Sequence, residues 1–113
     1  MTHPSKQKGN RFERLIVDKA HSYGVKGERA WGSNGRSLGM HEEVDVLLEG
    51  DLRIQAKCRK NIAKWLKPSE EVDAVVVKEN RGEIYVILRY EEFLDEYRDY
   101  LKWKGENNGE ENL

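Results

Sequence analysis

The sequence predicts an α/β domain in which a mixed central sheet is flanked by helices, in the order α-β-β-β-α-β-β-α. Three observations predict it. An amphipathic segment near the N-terminus leads into two runs of alternating apolar residues joined by Glu49-Gly50-Asp51. Two nearly continuous apolar runs, AVVV and IYVIL, flank Asn80-Arg81-Gly82, and a second amphipathic segment follows them. Strand runs interleaved with helical periodicity pack most simply as a sheet with helices against it.

Residues 1–9 read as a flexible basic arm. Asn10 offers an N-cap, Phe12, Leu15, Ile16, Ala20 and Tyr23 share a stripe at helical spacing, and Gly24 is placed as a stop. Gly24 to Glu42 holds five of the ten glycines and predicts a loop around a short strand near Glu28–Trp31; the stretch after Trp31 has few groups to bury and reads as a mobile loop or plain disorder. Glu43–Glu49 and Leu52–Cys58 read as strands of a hairpin whose three-residue turn sets Leu48 against Leu52, Val46 against Ile54 and Val44 against Ala56 on the core face. The same register sets Asp45 against Gln55 and Glu43 against Lys57 on the other face, because a one-residue slip would exchange the two sets. A short helix is expected around Ile62–Leu66, before Pro68. Asp73–Lys78 and Glu83–Leu88 lack alternation, as strands covered on both faces do. Tyr90–Trp103 is a closing helix with Phe93, Leu94, Tyr97 and Leu101 inward, and residues 105–113 read as a disordered acidic tail. The folded unit is thus a single domain, 10–104.

A chain of 113 residues with 37% hydrophobic content supports one core, hence one site unless it dimerises. A mean hydropathy of -0.88 and the lack of any apolar run near the roughly 18 residues of a membrane span argue against a membrane protein. The polar, basic Met1–Arg11 is unlike a secretory signal, so a cytoplasmic setting is expected, that of the host for a viral chain. Cys58 is the lone cysteine, which excludes an internal disulfide and a paired-cysteine zinc or redox motif. The net charge of -1 hides a segregation: Met1–Gly39 carries eight Lys/Arg against three acids, and Arg53–Lys67 carries six bases and no acid. Such a distribution fits a phosphate-facing side, with a solvated mixed-charge surface as the equal alternative. On the first reading the phosphate contacts, to DNA if the chain acts on it, would come from Lys6, Lys8, Arg11, Arg14, Arg29, Arg36, Arg59, Lys60 and Lys64.

Cutting a phosphodiester needs a divalent cation that holds a phosphate oxygen, activates water and takes up charge on the leaving oxygen. Mg²⁺ asks for oxygen ligands, commonly one or two carboxylates with water and phosphate completing the set, and Mn²⁺ can substitute. Asp45 supplies a carboxylate, Gln55 an amide oxygen and Ala56 a backbone carbonyl. Lys57 shares the strand face of Gln55 and brings a positive charge to the attacking water or the oxyanion. Glu13 lies at the border of the first helix's buried stripe, one turn before Ile16. Taken singly, Asp45 and Lys57 read as a cross-strand ion pair and Glu13 as a solvated helix position; the combination points to chemistry. His3, His21 and His41 share no spacing, and only His41 lies near Asp45. Trp31, Trp65 and Trp103 could stack on unpaired bases, but such residues are more often core or partner contacts.

Glutamate, then aspartate, then glutamine-x-lysine on a hairpin resembles the pattern of PD-(D/E)XK nucleases, and the local words are most similar to those of archaeal-type Holliday-junction resolvases. KGNRFER (Lys8–Arg14), RAWGS (Arg29–Ser33), VDVLL (Val44–Leu48) and IQAKCRK (Ile54–Lys60) match four of their motifs in order, over Lys8–Lys60. The resemblance implies a restriction-endonuclease-like fold and a Mg²⁺-dependent, structure-selective endonuclease that cuts four-way or other branched DNA as a homodimer. It implies that Glu13, Asp45 and Gln55 hold metal directly or through water, and that Lys57 is catalytic. Ser33 would sit beside the scissile phosphate, while Arg14 and Arg29 would touch the DNA backbone or support the site. Gln55 stands where the resolvases usually carry an acid, although other branches of the superfamily, virus-type replication-repair nucleases among them, tolerate glutamine there; a neutral ligand implies weaker metal affinity, which Glu43 could offset. The segment Asn34–Glu43 is also longer than in the resolvases. A virus-type nuclease of flaps or ends, and a catalytically silent DNA-binding module of the same fold, are the alternatives.

Overall fold

The computed structural model describes residues 4–30 and 35–111, and the side chains of 7–30 and 35–107. The chain is mixed α/β, with two helices and two antiparallel sheets in place of the single mixed sheet expected. Helix α1 (Pro4–Ser22) precedes strands β1 (Gly27–Arg29), β2 (Val46–Leu48) and β3 (Leu52–Ile54), which form a sheet in that order. Strands β4 (Ala74–Lys78) and β5 (Ile84–Leu88) form a separate hairpin, and helix α2 (Tyr90–Glu111) ends the described chain. Single 3₁₀ turns lie at Gly35–Leu38 and at Lys64–Leu66, the latter in place of the short helix expected there.

Helix α1 starts at Pro4, so Asn10 is an interior helical residue and the basic arm of the sequence reading is helical from its fourth residue. Proline suits a first helical turn, where its missing N–H would have had no partner. The helix ends as Gly24 predicts: Gly24 takes φ +81°, its amide bonds the His21 carbonyl (3.0 Å), and the Val25 amide bonds that of Ala20 (2.9 Å). This double closure satisfies carbonyls that the helix cannot, and it drives Val25 into the core.

The buried stripe of α1 is Glu13, Ile16, Val17 and Ala20, an i, i+3, i+4, i+7 set. Leu15, expected on that stripe, falls outside it and is 49% exposed. The stripe packs on β1 and β2, where Val46 and Leu48 point inward and Leu47 does not. Leu94 of α2 closes the core, with Phe93, Tyr97 and Leu101 packed around it as expected. The Tyr90 hydroxyl donates to the Ile16 carbonyl (2.8 Å) and that of Tyr97 to the Glu49 carbonyl, tying α2 to α1 and to the β2–β3 turn. Burial pushes the Tyr90 phenol up to about 12.

The β2–β3 register pairs Val46 with Ile54 and Leu48 with Leu52, as the turn length requires. Gly50 and Asp51 supply the positive φ angles of the turn (83° and 58°). The segment expected as a mobile loop is folded from Gly35 onward. Gly35 is buried so closely that an added Cβ would lie 1.9 Å from the His41 carbonyl oxygen. Residues 105–111, part of the tail 105–113 expected to be disordered, continue α2; no proline interrupts them, and each of their two glycines costs a helix only about 1 kcal/mol. No helix among the described residues is long and apolar enough to cross a membrane.

Candidate active site

Asp45 sits where the β2–β3 ladder breaks. Its amide donates to the Ile54 carbonyl (2.9 Å) instead of meeting Gln55, and its own carbonyl accepts from Ala30 (2.9 Å), extending the β1 pairing. Its Oδ2 accepts the Ala56 amide (2.7 Å). A side chain has thus replaced a backbone acceptor, which is why β3 stops at Ile54 rather than at Cys58. The bond also fixes the Asp45 carboxylate beside Gln55-Ala56-Lys57 through one oxygen.

Gln55 and Lys57 are exposed. Among the described residues Lys57 makes no ion pair, so Asp45 and Lys57 are not the cross-strand salt bridge that either residue alone would suggest. Gln55 lines an open groove of about 450 Å³ with His41, Glu43, Val44, Arg53 and Ile54. Glu43 and Gln55, set on one face by the sequence, are therefore brought to one hollow, although Glu43 is not paired with Lys57. The His41 Nδ1 accepts the Glu43 amide (3.1 Å), which fixes the imidazole at the groove. Arg53, absent from the expected contacts, was legible as the residue two before Gln55 on one strand face.

Glu13 is 3% exposed, a core position and not the stripe border expected. Its Oε2 accepts from Arg29 Nη2 (3.3 Å) on β1, whose own side chain is 30% exposed. The signal was available: Glu13 begins the 13-16-17-20 spacing, and a carboxylate there needs a cationic partner. Arg29 precedes Ala30, which bonds Asp45, so the last residue of β1 and the residue after it link the Glu13 and Asp45 positions.

Of the expected DNA contacts, Lys8, Arg11, Arg14, Arg36, Arg59, Lys60 and Lys64 are exposed. Arg11 and Arg14 line a polar hollow of about 330 Å³ with Gln7 and Asn10. Arg36 pairs with Glu42 (3.4 Å), and Arg29 is engaged with Glu13. Ser33 and Trp31 lie outside the described residues, as does the side chain of Lys6. Trp65 and Trp103 are exposed.

Among the described residues no three or more His, Cys, Asp and Glu side chains converge on a point that could hold a metal. The donors about the ladder break are one carboxylate and neutral oxygens. Such a set fits a hard cation that keeps several waters and is completed by a phosphate, and does not fit an all-protein cage. No family model, no curated protein and no solved structure matches the chain.

Proposed function

We propose that the chain is a Mg²⁺-dependent, structure-selective DNA endonuclease that cuts branched DNA, four-way junctions foremost, as a homodimer with one active centre per chain. The observation that carries this reading is the break in the β2–β3 ladder. It holds the Asp45 carboxylate at the Gln55-Ala56-Lys57 segment and leaves Lys57 exposed and unpaired among the described residues. Asp45, Gln55 and the Ala56 carbonyl would hold the cation, with Glu43 adding charge from the groove. When bound, the cation polarises the scissile phosphate and lowers the pKa of the attacking water. Lys57 neutralises charge developing on the phosphate oxygens. The exposed bases on α1 and after β3 bind the DNA backbone and set most of the affinity.

A second reading, a DNA-binding module without catalysis, is favoured by the engagement of Glu13 with Arg29 at the α1–β1 interface. One experiment separates the two: purified chain with Mg²⁺ or Mn²⁺ on labelled four-way junction, flap, duplex and single-stranded DNA. We expect paired nicks in the junction, abolished by Asp45→Ala and by Lys57→Ala with DNA affinity nearly unchanged. DNA binding without cleavage of any substrate would support the silent module. Unfolding of both variants would assign the two residues a structural role instead.

A further inference from the structure

The β4–β5 hairpin carries an apolar face that none of the described residues covers. Its register sets Ala74, Val76, Leu88, Val86 and Ile84 on one side, with Lys78 as the single charge there. Val76 is 66%, Ile84 67% and Val86 59% exposed. At the hairpin edge Trp65 (68%) and Tyr85 (57%) line an open hollow of about 400 Å³ with Val76 and Val77.

We infer that this face is the surface on which a second copy of the chain docks, forming a two-fold dimer through paired β4–β5 hairpins. Its area agrees. On that side Ala74, Val76, Ile84 and Val86, with Trp65 at the edge, offer roughly 500 Å² of exposed side-chain surface in all. A stable interface buries about 800 Å² per partner, of which about 65% is apolar in homodimers, so the supply meets the demand. The charge distribution favours a copy over a foreign partner. The face has no charged cluster that would select an acidic or basic surface, or a nucleic acid. The hairpin tip carries both signs, Lys78 and Arg81 with Glu79 and Glu83, a mixture that an identical surface can match in reverse. A two-stranded hairpin is also marginal alone, and a facing hairpin supplies the missing layer. Self-association through this face holds or fails whether or not the chain cuts DNA.

Sedimentation equilibrium of the full chain without DNA tests the inference. A dimer is expected at micromolar concentration. Val76→Glu and Val86→Arg should each raise the dimer dissociation constant by about tenfold to a hundredfold, with the far-UV circular dichroism unchanged. Trp103→Glu, on the exposed end of α2, should leave it within about twofold. Where a charged variant fails to fold, Val76→Thr keeps a β-branched residue and should still weaken association measurably. A parent chain that stays monomeric at high micromolar concentration overturns the inference. So does a dimer that Trp103→Glu dissociates and the folded hairpin variants do not.

Discussion

The body built from α1, the three-stranded sheet and α2 and the β4–β5 hairpin are made of similar residues put to different use. In the body, Val46, Leu48, Ala20, Val25 and Leu94 are at most 1% exposed, and hydroxyls, a helix stop and a tight turn close its edges. In the hairpin, an equally apolar sequence leaves Val76, Ile84 and Val86 more than half exposed. Its strands pack chiefly on each other, and Arg89, just after β5, clasps the segment that leads into β4 through the Pro68, Ser69 and Val72 carbonyls. The radius of gyration, 16.3 Å, exceeds the roughly 13 Å of a compact chain of this size. The lack of alternation in these two runs, expected to mark strands covered on both faces, therefore does not report cover within the chain: one face of β4 and β5 is exposed. The body also carries the ladder break at Asp45, so the packing that is complete within one chain is the packing that positions the candidate chemistry.

The largest effect should come from emptying the body's core. Leu94→Ala removes a fully buried side chain and is expected to cost about 2–5 kcal/mol in urea denaturation. Ile84→Ala, in dilute solution where copies are apart, should cost no more than about 0.5 kcal/mol. Equal losses at every protein concentration would mean that the hairpin is buried within its own chain, and the contrast would fall.

Next in size is Glu13→Ala. The substitution strips the carboxylate from a partly buried guanidinium whose Nε is already buried without a hydrogen-bond partner among the described residues. A loss of about 2–3 kcal/mol is expected, below the full cost of breaking a buried pair because Arg29 keeps some contact with solvent. Lys57→Ala, on the exposed side of the same region, should stay within about 0.5 kcal/mol. A stable Glu13→Ala chain would show that the interface tolerates the lone Arg29 and would free Glu13 for a purely chemical role.

These pairs also mark how far the sequence could be read. The α1 stop at Gly24 and the Leu48–Leu52 and Val46–Ile54 register were legible because each follows from local rules: a left-handed glycine, a turn length and a period of two. The start of α1 was missed because Asn10 is a better isolated cap than anything before Pro4, whereas a proline opening signalled the earlier start. The end of β3 was not legible, since it depends on the Asp45 side chain taking the Ala56 amide, a contact that alternation does not encode. The depth of Glu13 had a signal in the 13-16-17-20 spacing, but the identity of its partner, Arg29, sixteen residues away, did not. That Asp45 lies beside the Gln55–Lys57 segment was legible from the turn length, but its expected pairing with Gln55 gives way to the Ala56 amide, and the groove shared by Gln55, Glu43, His41 and Arg53 needed the folded chain.

A smaller effect concerns alkaline pH, and it tests the bond that joins the two helices of the body. The Tyr90 phenol is pushed by burial from 10.0 to about 12. A raised folded-state pKa means that the neutral phenol is favoured in the fold. The contribution is therefore whole below pH 10 and is lost as pH rises from 10 towards 12. Thermal melting followed across that window should fall more steeply for the parent than for Tyr90→Phe. Parallel curves would assign the alkaline loss to other groups.

The smallest change in stability, and the most informative about the site, is expected from Gln55→Glu. The position is exposed and faces the open groove, so no core is disturbed, and the new carboxylate joins Asp45 and Glu43 in a region that otherwise offers neutral oxygens. Without divalent ions the added repulsion should lower stability by no more than about 0.5 kcal/mol, because water screens charges at an exposed position. With Mg²⁺ the sign should reverse. A further carboxylate tightens binding of a hard cation, and a cation bound only to the folded chain stabilises it by RT ln(1 + c/Kd) at free Mg²⁺ concentration c. The melting temperature of Gln55→Glu should therefore rise on adding Mg²⁺ by more than that of the parent. In parallel, less Mg²⁺ should be needed for half-maximal cutting. Gln55→Ala should lose both responses, since it removes an oxygen donor without adding a charge. If all three chains melt alike with and without Mg²⁺, the cation does not bind at Gln55, and the groove beside Asp45 belongs to phosphate contacts rather than to the metal.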